Sequence, residues 1–516
     1  MVVARLLSRI IDLCAMLILA RLLTPVDFGL VAIAMTMVTL LEAALELPLS
    51  QALVQLPRIE PHHFHTAFTI SLLRGLLLLL LCSSLAPMFA QWYGHPALIP
   101  LIQALSLAPA TRGLQNPRLA EYAKALNFRY EFYLEIGGKG FAFLIGSLTA
   151  YLTHSYWSIA ICTIVAPASV SLMGYLVIPY RPHLSLRDWR LFKEFLGWIS
   201  FSQIVTALNF QSEQLLLGKL MPAKSFGLFT TASNVTYIPL VALFGPILRP
   251  LLSAFTQLRD EKARLREGYQ RASSAVVTIG LPLLIGQAAV AQPLVLVLLG
   301  QQWADAAPLF KWLSVSIIPY LFGMLLTPLG MATGQSREIA WRNALQLLVK
   351  LPLLIFGVIY YGFVGLVAAR LISETAAALF CMASIRKITG IPVSKQFWVN
   401  LRAIISSLVM LTGVFVLDRV FAFSSTFTAQ LLRLLLLVMT GTMIYISCLM
   451  ACWYLESCPQ GIEEVAFRWL SRVTLRIFYA KENHPAIIKS RIACRNVSAS
   501  SAAASEFKSH AQRNDS

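Results

Sequence analysis

"ARLLTPVDFGL" (residues 20–30) and "GKLMPAKSFGL" (residues 218–228) are two versions of one eleven-residue stretch, written 198 positions apart. Shifting the chain by that interval without a gap places Arg21 on Lys219, Leu22 on Leu220, Phe28 on Phe226, Gly29 on Gly227, Leu30 on Leu228 and Pro48 on Pro246. Where the letters differ the chemistry agrees: Asp27 falls on Ser225, and each is a good N-cap for a helix starting at the Phe-Gly pair. The stretch reads as a capped hairpin turn. Its glycine permits close packing where the second helix starts, and its basic residue, Arg21 or Lys219, snorkels to an interface.

Composition says which interface. With 57% hydrophobic residues, 13% charged residues and a mean hydropathy of +0.70, the chain cannot be a water-soluble domain with an ordinary polar surface. Apolar runs recur from Val2 to about Leu455, each of the roughly 20 residues that a helix needs to cross a bilayer and too long for barrel strands. The pattern predicts an all-α polytopic membrane protein of about fourteen transmembrane helices, at 2–22, 28–53, 66–90, 98–116, 132–152, 156–178, 195–219, 226–252, 273–299, 307–330, 338–360, 363–385, 401–420 and 429–454. Six helices separate the two copies of the turn, and an even number of crossings returns the chain to the same side. The repeat is therefore parallel, the kind found in transporters whose site lies between two rocking bundles. The expected organisation is a six-helix bundle over 1–193, a second over 194–390, two additional helices within 391–456, a basic amphipathic segment at the membrane surface over 457–482, and a disordered cytoplasmic tail over 483–516.

Lys and Arg crowd alternate loops: Arg58; Arg112, Arg118, Lys124 and Arg129; Arg181, Arg187, Arg190 and Lys193; Arg259 to Arg271; Arg386 to Arg402. Short basic loops stay in the cytoplasm, so both termini are expected there, and the net charge of +18 expresses topology and inner-leaflet lipid contact, with no nucleic acid partner required. Arg5 and Arg9 precede an apolar stretch as in a signal peptide, but Asp12 interrupts it, and the repeat retains this segment as the first span.

Three longer stretches carry a family likeness: "LILARLLTPVDFGLVAIAMTMVTLLEAALELPLSQALVQ" (17–55), "VLLGQQWADAAPLFKWLSV" (297–315) and "GMATGQSREIAWRNALQLL" (330–348). Over residues 1–450 or so the chain resembles the polysaccharide-transporter branch of the multidrug/oligosaccharidyl-lipid/polysaccharide exporter superfamily. The resemblance implies two six-helix bundles around a central cavity, two C-terminal helices, and translocation of an undecaprenyl-diphosphate-linked oligosaccharide across the bacterial cytoplasmic (inner) membrane. It also implies a polysaccharide polymerase and chain-length machinery as partners. A cation-coupled drug exporter of the related branch and a non-transporting envelope scaffold are the rival readings. The outer loops are only about a dozen residues long, too small for the large outer loop expected of a polymerase or ligase.

A multiply charged headgroup crosses hydrocarbon only if the protein supplies a wet cavity with compensating groups. The candidates are Arg9 and Asp12, on one face of the first helix; Gln203, Asn209, Gln211 and Glu213, on its repeat partner; and Arg74 and Lys350, within the third and eleventh helices. Arg74 has a rival role snorkelling, and Lys350 one in pairing with a neighbouring helix. Ion coupling points to Asp12, Glu213 or the pair Glu42 and Glu46, two acids one turn apart that could share a proton. Glu135 with Lys139, and Arg370 with Glu374, lie four apart and are expected to neutralise each other within a helix.

No cofactor is implied. "PHHFH" (61–65) gathers His62, His63 and His65 without a Cys or acidic partner at metal-site spacing and reads as interfacial histidines, so no metal is expected. "IGGKG" (136–140) lacks the spacing of a phosphate loop and reads as helix packing through small residues. The eight cysteines fall mostly within spans, and no catalytic grouping stands out in a loop, which argues against an enzyme.

Overall fold

Thr24-Pro25-Val26-Asp27 starts a helix for local reasons. Thr24 is extended and offers its hydroxyl to the Asp27 amide, Asp27 returns a carboxylate to the Thr24 amide at 2.9 Å, and Pro25 supplies a preset φ where no amide bond is needed. The cap is therefore Thr24, with Asp27 as its reciprocal partner, which moves the expected start of this helix back from Phe28 to Pro25. At the second copy the helix likewise begins early, at Ala223 behind Pro222, and Ser225 is not the cap.

The computed structural model describes residues 2–47, 49–56, 58–125, 127–189, 207–209, 211–420 and 426–455. In chain order the helices are α1 (Val2–Leu22), α2 (Pro25–Ala44), α3 (Leu49–Gln55), α4 (Pro61–Tyr93), α5 (Leu98–Leu105), α6 (Leu107–Arg112), α7 (Leu119–Lys124), α8 (Arg129–Thr153) and α9 (Trp157–Val177). The second half continues with α10 (residues 211–220), α11 (Ala223–Leu258), α12 (Lys262–Ala289), α13 (Ala291–Leu298), α14 (Ala306–Ser316), α15 (Ile318–Gly323), α16 (Leu326–Ala332), α17 (Ser336–Thr389), α18 (Val393–Trp398), α19 (Leu401–Val420) and α20 (Phe427–Leu455). Gln203, much of the expected seventh helix and the segments 457–482 and 483–516 lie outside the described residues.

Prolines set where expected spans divide. The second stops at Ala44, ahead of Pro48, and α3 follows separately. The fourth breaks at Ser106: Pro109 lacks the amide that would bond Leu105, and the Ser106 hydroxyl takes the Gln103 carbonyl at 2.6 Å. The tenth divides into α14, α15 and α16 around Pro319 and Pro328. The eleventh and twelfth are the two arms of α17, which reverses at Gly362 (φ 54°, ψ −126°). Gly357 and Gly365 let the arms touch, since a Cβ on Gly365 would lie 1.9 Å from the Gly357 carbonyl oxygen.

Among the described residues nine helical stretches are long and apolar enough to cross a membrane. Their outward faces carry side chains such as Leu176, Leu348 and Tyr361, each more than 70% exposed, a surface suited to lipid and costly in water. Helices α1 and α8 are not among the nine because they carry charge: Arg5, Arg9, Asp12 and Arg21 in one, Arg129, Glu131, Glu135 and Lys139 in the other. They pack on each other. Helix α8 also packs along α9 through glycines; a Cβ at Gly138 would meet Val170 at 2.4 Å and one at Gly146 would meet Cys162 at 2.8 Å. The small-residue reading of "IGGKG" is borne out.

Candidate functional site

The two copies of the repeated turn meet. Helices α2 and α11 cross so closely that a Cβ on Gly29 would lie 2.0 Å from the Ala223 carbonyl oxygen, and one on Gly227 would lie 1.8 Å from that of Pro25. Pro25 and Ala223 are equivalent positions in the repeat, as are Gly29 and Gly227. The contact is thus reciprocal, as at an interface between two copies related by rotation.

A second sequence signature locks the same end. The carbonyls at the end of α1 lack helix partners and need donors, and Gln302 Nε2 donates to Ala20 O at 2.5 Å and to Leu23 O at 3.0 Å, while Trp303 Nε1 donates to Ala20 O at 2.7 Å. Trp303 is fully buried and meets Phe28 edge to face, with ring centroids 5.2 Å apart. Arg21 returns the favour to the carbonyls of Val297 and Leu298, and Lys219 reaches the Trp92 carbonyl. The basic residues of the repeat therefore tie helix ends together. Trp303→Phe, which keeps a ring but loses the N–H, is expected to cost about 1–3 kcal/mol of stability. Thermal unfolding in detergent checks this; an unchanged melting temperature would remove Trp303 from the latch.

Moving from Ala20 to Arg9 along α1 covers about 16 Å, and there α1, α8 and α11 enclose open space. A cavity of about 310 Å³ is lined by Ser8 and Arg9 of α1, Glu131, Glu135 and Lys139 of α8, and Val241, Ala242, Gly245 and Pro246 of α11. Lys139 Nζ is held by Asp12 at 2.7 Å, by Glu135 at 3.4 Å and by Ser8 Oγ at 2.6 Å. Arg9 is looser: its partner is Asp12 at 4.0 Å, and its side chain is 56% exposed. Pro246 has no amide for the Ala242 carbonyl one turn earlier, so the apolar wall of α11 also offers an acceptor. Such a cavity presents an exposed cation, a held cation, acids and a backbone oxygen to a hydrated guest.

Arg74, Glu42 and Glu46 form another group. Arg74 Nη2 bonds Glu46 Oε2 at 2.8 Å and the Glu42 carbonyl at 3.2 Å, placing its charge at the C-terminus of α2, where a cation is favourable. The Glu42 carboxylate takes Arg112 instead. Each of the two acids thus has an arginine within contact distance. Arg74 is engaged in framework contacts.

Lys350 lies in a third group, buried in the second half. Glu213 of α10 sits between Lys350 Nζ, 2.9 Å away, and Arg370 Nη1, 3.5 Å away, with all three side chains less than 10% exposed. Arg370 also donates to Tyr237 Oη at 2.8 Å, Lys350 to the Asn209 carbonyl at 3.3 Å, Asn209 Nδ2 to Gln346 at 3.1 Å, and Gln346 to Glu374 at 2.8 Å. In place of the expected Arg370–Glu374 ion pair within one helix, a chain of contacts joins α10, α11 and both arms of α17. Two acids and two bases balance its charge. Gln211 stands apart, its Oε1 buried without a hydrogen bond, while its neighbour Gln214 accepts from Thr36 of α2 at 3.2 Å. Sequence reading took Lys139 as the partner of Glu135, a pair that forms at 3.4 Å, but did not single out Gln346 or Tyr237; the only available signal was a polar residue inside an apolar span.

Long apolar helices around a charged cavity are the architecture of a multi-pass membrane transporter. The family model of the polysaccharide biosynthesis protein matches residues 18–308, more than half of the chain, and the chain belongs to that family. Similar proteins include the succinoglycan biosynthesis transport protein ExoT of Rhizobium meliloti, 24% identical over 441 residues that make up 83% of this chain and 87% of ExoT. The lipopolysaccharide biosynthesis protein WzxC of Escherichia coli is 24% identical over 373 residues, 70% of this chain and 75% of WzxC. In fold, the chain matches the lipid II flippase MurJ in an inward closed conformation, with a TM-score of 0.71 over 88% of this chain and 98% of MurJ at 14% identity. An inward-facing multidrug resistance MATE family transporter of the MOP superfamily matches with a TM-score of 0.59 over 77% of this chain and 94% of its own, also at 14% identity.

Proposed function

We propose that the protein is a flippase, moving an undecaprenyl-diphosphate-linked oligosaccharide from the inner to the outer leaflet of the bacterial cytoplasmic membrane for O-antigen, capsule or exopolysaccharide assembly. In this reading residues 1–193 and 194–390 act as two parallel six-helix bundles, both termini are cytoplasmic, and the repeated turns face outward. Polymerase and chain-length machinery receive the product. The observation that carries the reading is the pairing of one latched end with a charged cavity between α1, α8 and α11, in a chain of this family. Closing the outer end while the inner cavity is open is what alternating access requires. The diphosphate would meet Arg9 first, because Arg9 is less committed than Lys139 and exchanges its distant Asp12 partner at little cost.

Deleting the gene tests the reading directly. Lipid-linked oligosaccharide should accumulate in the inner leaflet with surface polysaccharide lost, both reversed by complementation; an unchanged pool with new sensitivity to cationic dyes would favour a drug exporter. Complementation with Arg9→Ala is expected to reduce surface polysaccharide about tenfold or more, the loss of one charge-assisted hydrogen bond. Membrane levels of the protein should hold. Full complementation by Arg9→Ala would exclude Arg9 from the substrate path.

A further inference from the structure

Outside the cavity, the start of α4 carries Glu60, His62, His63 and His65, and the segment 178–189, which leads from α9 toward the second half, folds back across it. This return brings Asp188 to within 3.5 Å of His62, from 126 positions away in the chain. The acidic partner that the spacing of "PHHFH" lacks is therefore supplied by tertiary structure.

We propose that His62, His63 and Asp188 form a binding site for one divalent transition-metal cation, Zn²⁺. One coordinating atom from each of the three lies within 4.8 Å of the others. His62 Nε2 and Asp188 Oδ2 are 3.5 Å apart, long for a hydrogen bond. That spacing is natural for neighbouring ligands of a tetrahedral zinc, whose bonds of about 2.0–2.2 Å hold ligand atoms roughly 3.3–3.6 Å apart. The other nitrogen of His62 supports the assignment. Nδ1 faces Glu60 Oε2 at 3.3 Å, the carboxylate–histidine arrangement that holds the proton on Nδ1 and turns the Nε2 lone pair toward a metal. Asp188 Oδ2 is buried and accepts no hydrogen bond, so its remaining capacity is directed at the same point.

Two neighbouring features define the site's limits. His65 is excluded: its Nδ1 receives the His183 amide at 3.3 Å and stands 2.9 Å from Tyr180 Oη. Burial, with Tyr175 alongside, pushes the Tyr180 hydroxyl up to about 12, so it remains a proton donor. His63 is the adjustable ligand. Its Nδ1 accepts the Glu60 amide at 3.1 Å as part of the α4 capping box, and a neutral imidazole cannot accept that bond and also coordinate through Nε2. Metal capture therefore shifts the His63 proton to Nδ1 and exchanges a helix cap for a coordinate bond. The cost of placing a cation at a helix N-terminus is offset by the carboxylates of Asp188 and Glu60. Imidazole and carboxylate donors select zinc or a similar ion over Mg²⁺ or Ca²⁺.

The test uses the full chain, purified with a tag free of histidine, stripped by chelator and titrated with Zn²⁺ by calorimetry and with Co²⁺ by visible absorption. Wild type should bind one ion per chain, with the intense absorption of tetrahedral Co²⁺. Asp188→Asn and His62→Gln should each weaken binding by about tenfold or more, whereas His65→Gln and the distant His95→Gln should not. If Asp188→Asn does not elute as folded protein, His63→Gln, which keeps the acid, replaces it. Equal affinity in wild type and the His62 variant, or equal occupancy by Mg²⁺, would overturn the site.

Discussion

Gly29→Leu is expected to abolish polysaccharide export while the protein still inserts and folds, and to expose the outer end of the cavity. The reason is geometric. A side chain at residue 29 must displace the Ala223 carbonyl, 2.0 Å from the site of its Cβ, and this obstacle is helix backbone rather than a flexible side chain. Overpacking of this kind costs about 1–3 kcal/mol or more, and the cost falls only on the state in which α2 and α11 are in contact. An equilibrium between closed and open outer ends would move by roughly one to two orders of magnitude. Gly227→Leu should act in the same direction, because its Cβ would meet the equivalent carbonyl, Pro25, at 1.8 Å. The measurement is thiol labelling from outside in a background lacking the native cysteines, using Ala20→Cys, a small change at a fully buried position beside the latch. Protection in the parent and labelling in either glycine variant is the expected result. Continued protection with normal export would mean that the outer end does not open there.

Much of this end was legible in the chain. The gapless repeat identified Gly29 and Gly227 as equivalent and as sites of close packing, and the Leu-Leu-Gly-Gln-Gln-Trp stretch stood out as a family signature. What spacing could not reveal is that the repeated turn and that signature converge on the carbonyl of Ala20, because contacts between distant segments depend on how helices rotate and cross. The same limit explains the charged residues. Positions four apart do face each other on one helix, and Lys139 does reach Glu135 at 3.4 Å, yet its shorter contact is Asp12 on α1, at 2.7 Å. Arg370 spreads its donors over Glu213, Ser233 and Tyr237 on neighbouring helices, partners that no spacing along its own helix could show. Arg74 and Arg112, from α4 and α6, could not be placed beside Glu46 and Glu42 from sequence.

Glu213→Ala is expected to be the most damaging single substitution in the second half. It removes the anion between Lys350 and Arg370 and leaves both cations buried. Breaking a buried ion pair from one side costs about 3–5 kcal/mol, a large part of the stability of an ordinary domain. Folded yield on gel filtration and the melting temperature should both drop sharply. The informative comparison is the double variant Glu213→Gln with Lys350→Met, which deletes one charge of each sign and leaves Arg370 facing Tyr237, with Glu374 held by Gln346. Charge balance is then kept, so the double variant should be much more stable than Glu213→Ala, a departure from additivity that only residues in one network produce. Export then separates two roles for Lys350. In this conformation its ammonium is committed to Glu213 and the Asn209 carbonyl, away from the cavity lined by α1, α8 and α11. Restored folding with restored export is therefore the expected outcome and assigns Lys350 to the framework. Folded double variant without export would instead require that Lys350 leave Glu213 during the cycle and meet the substrate.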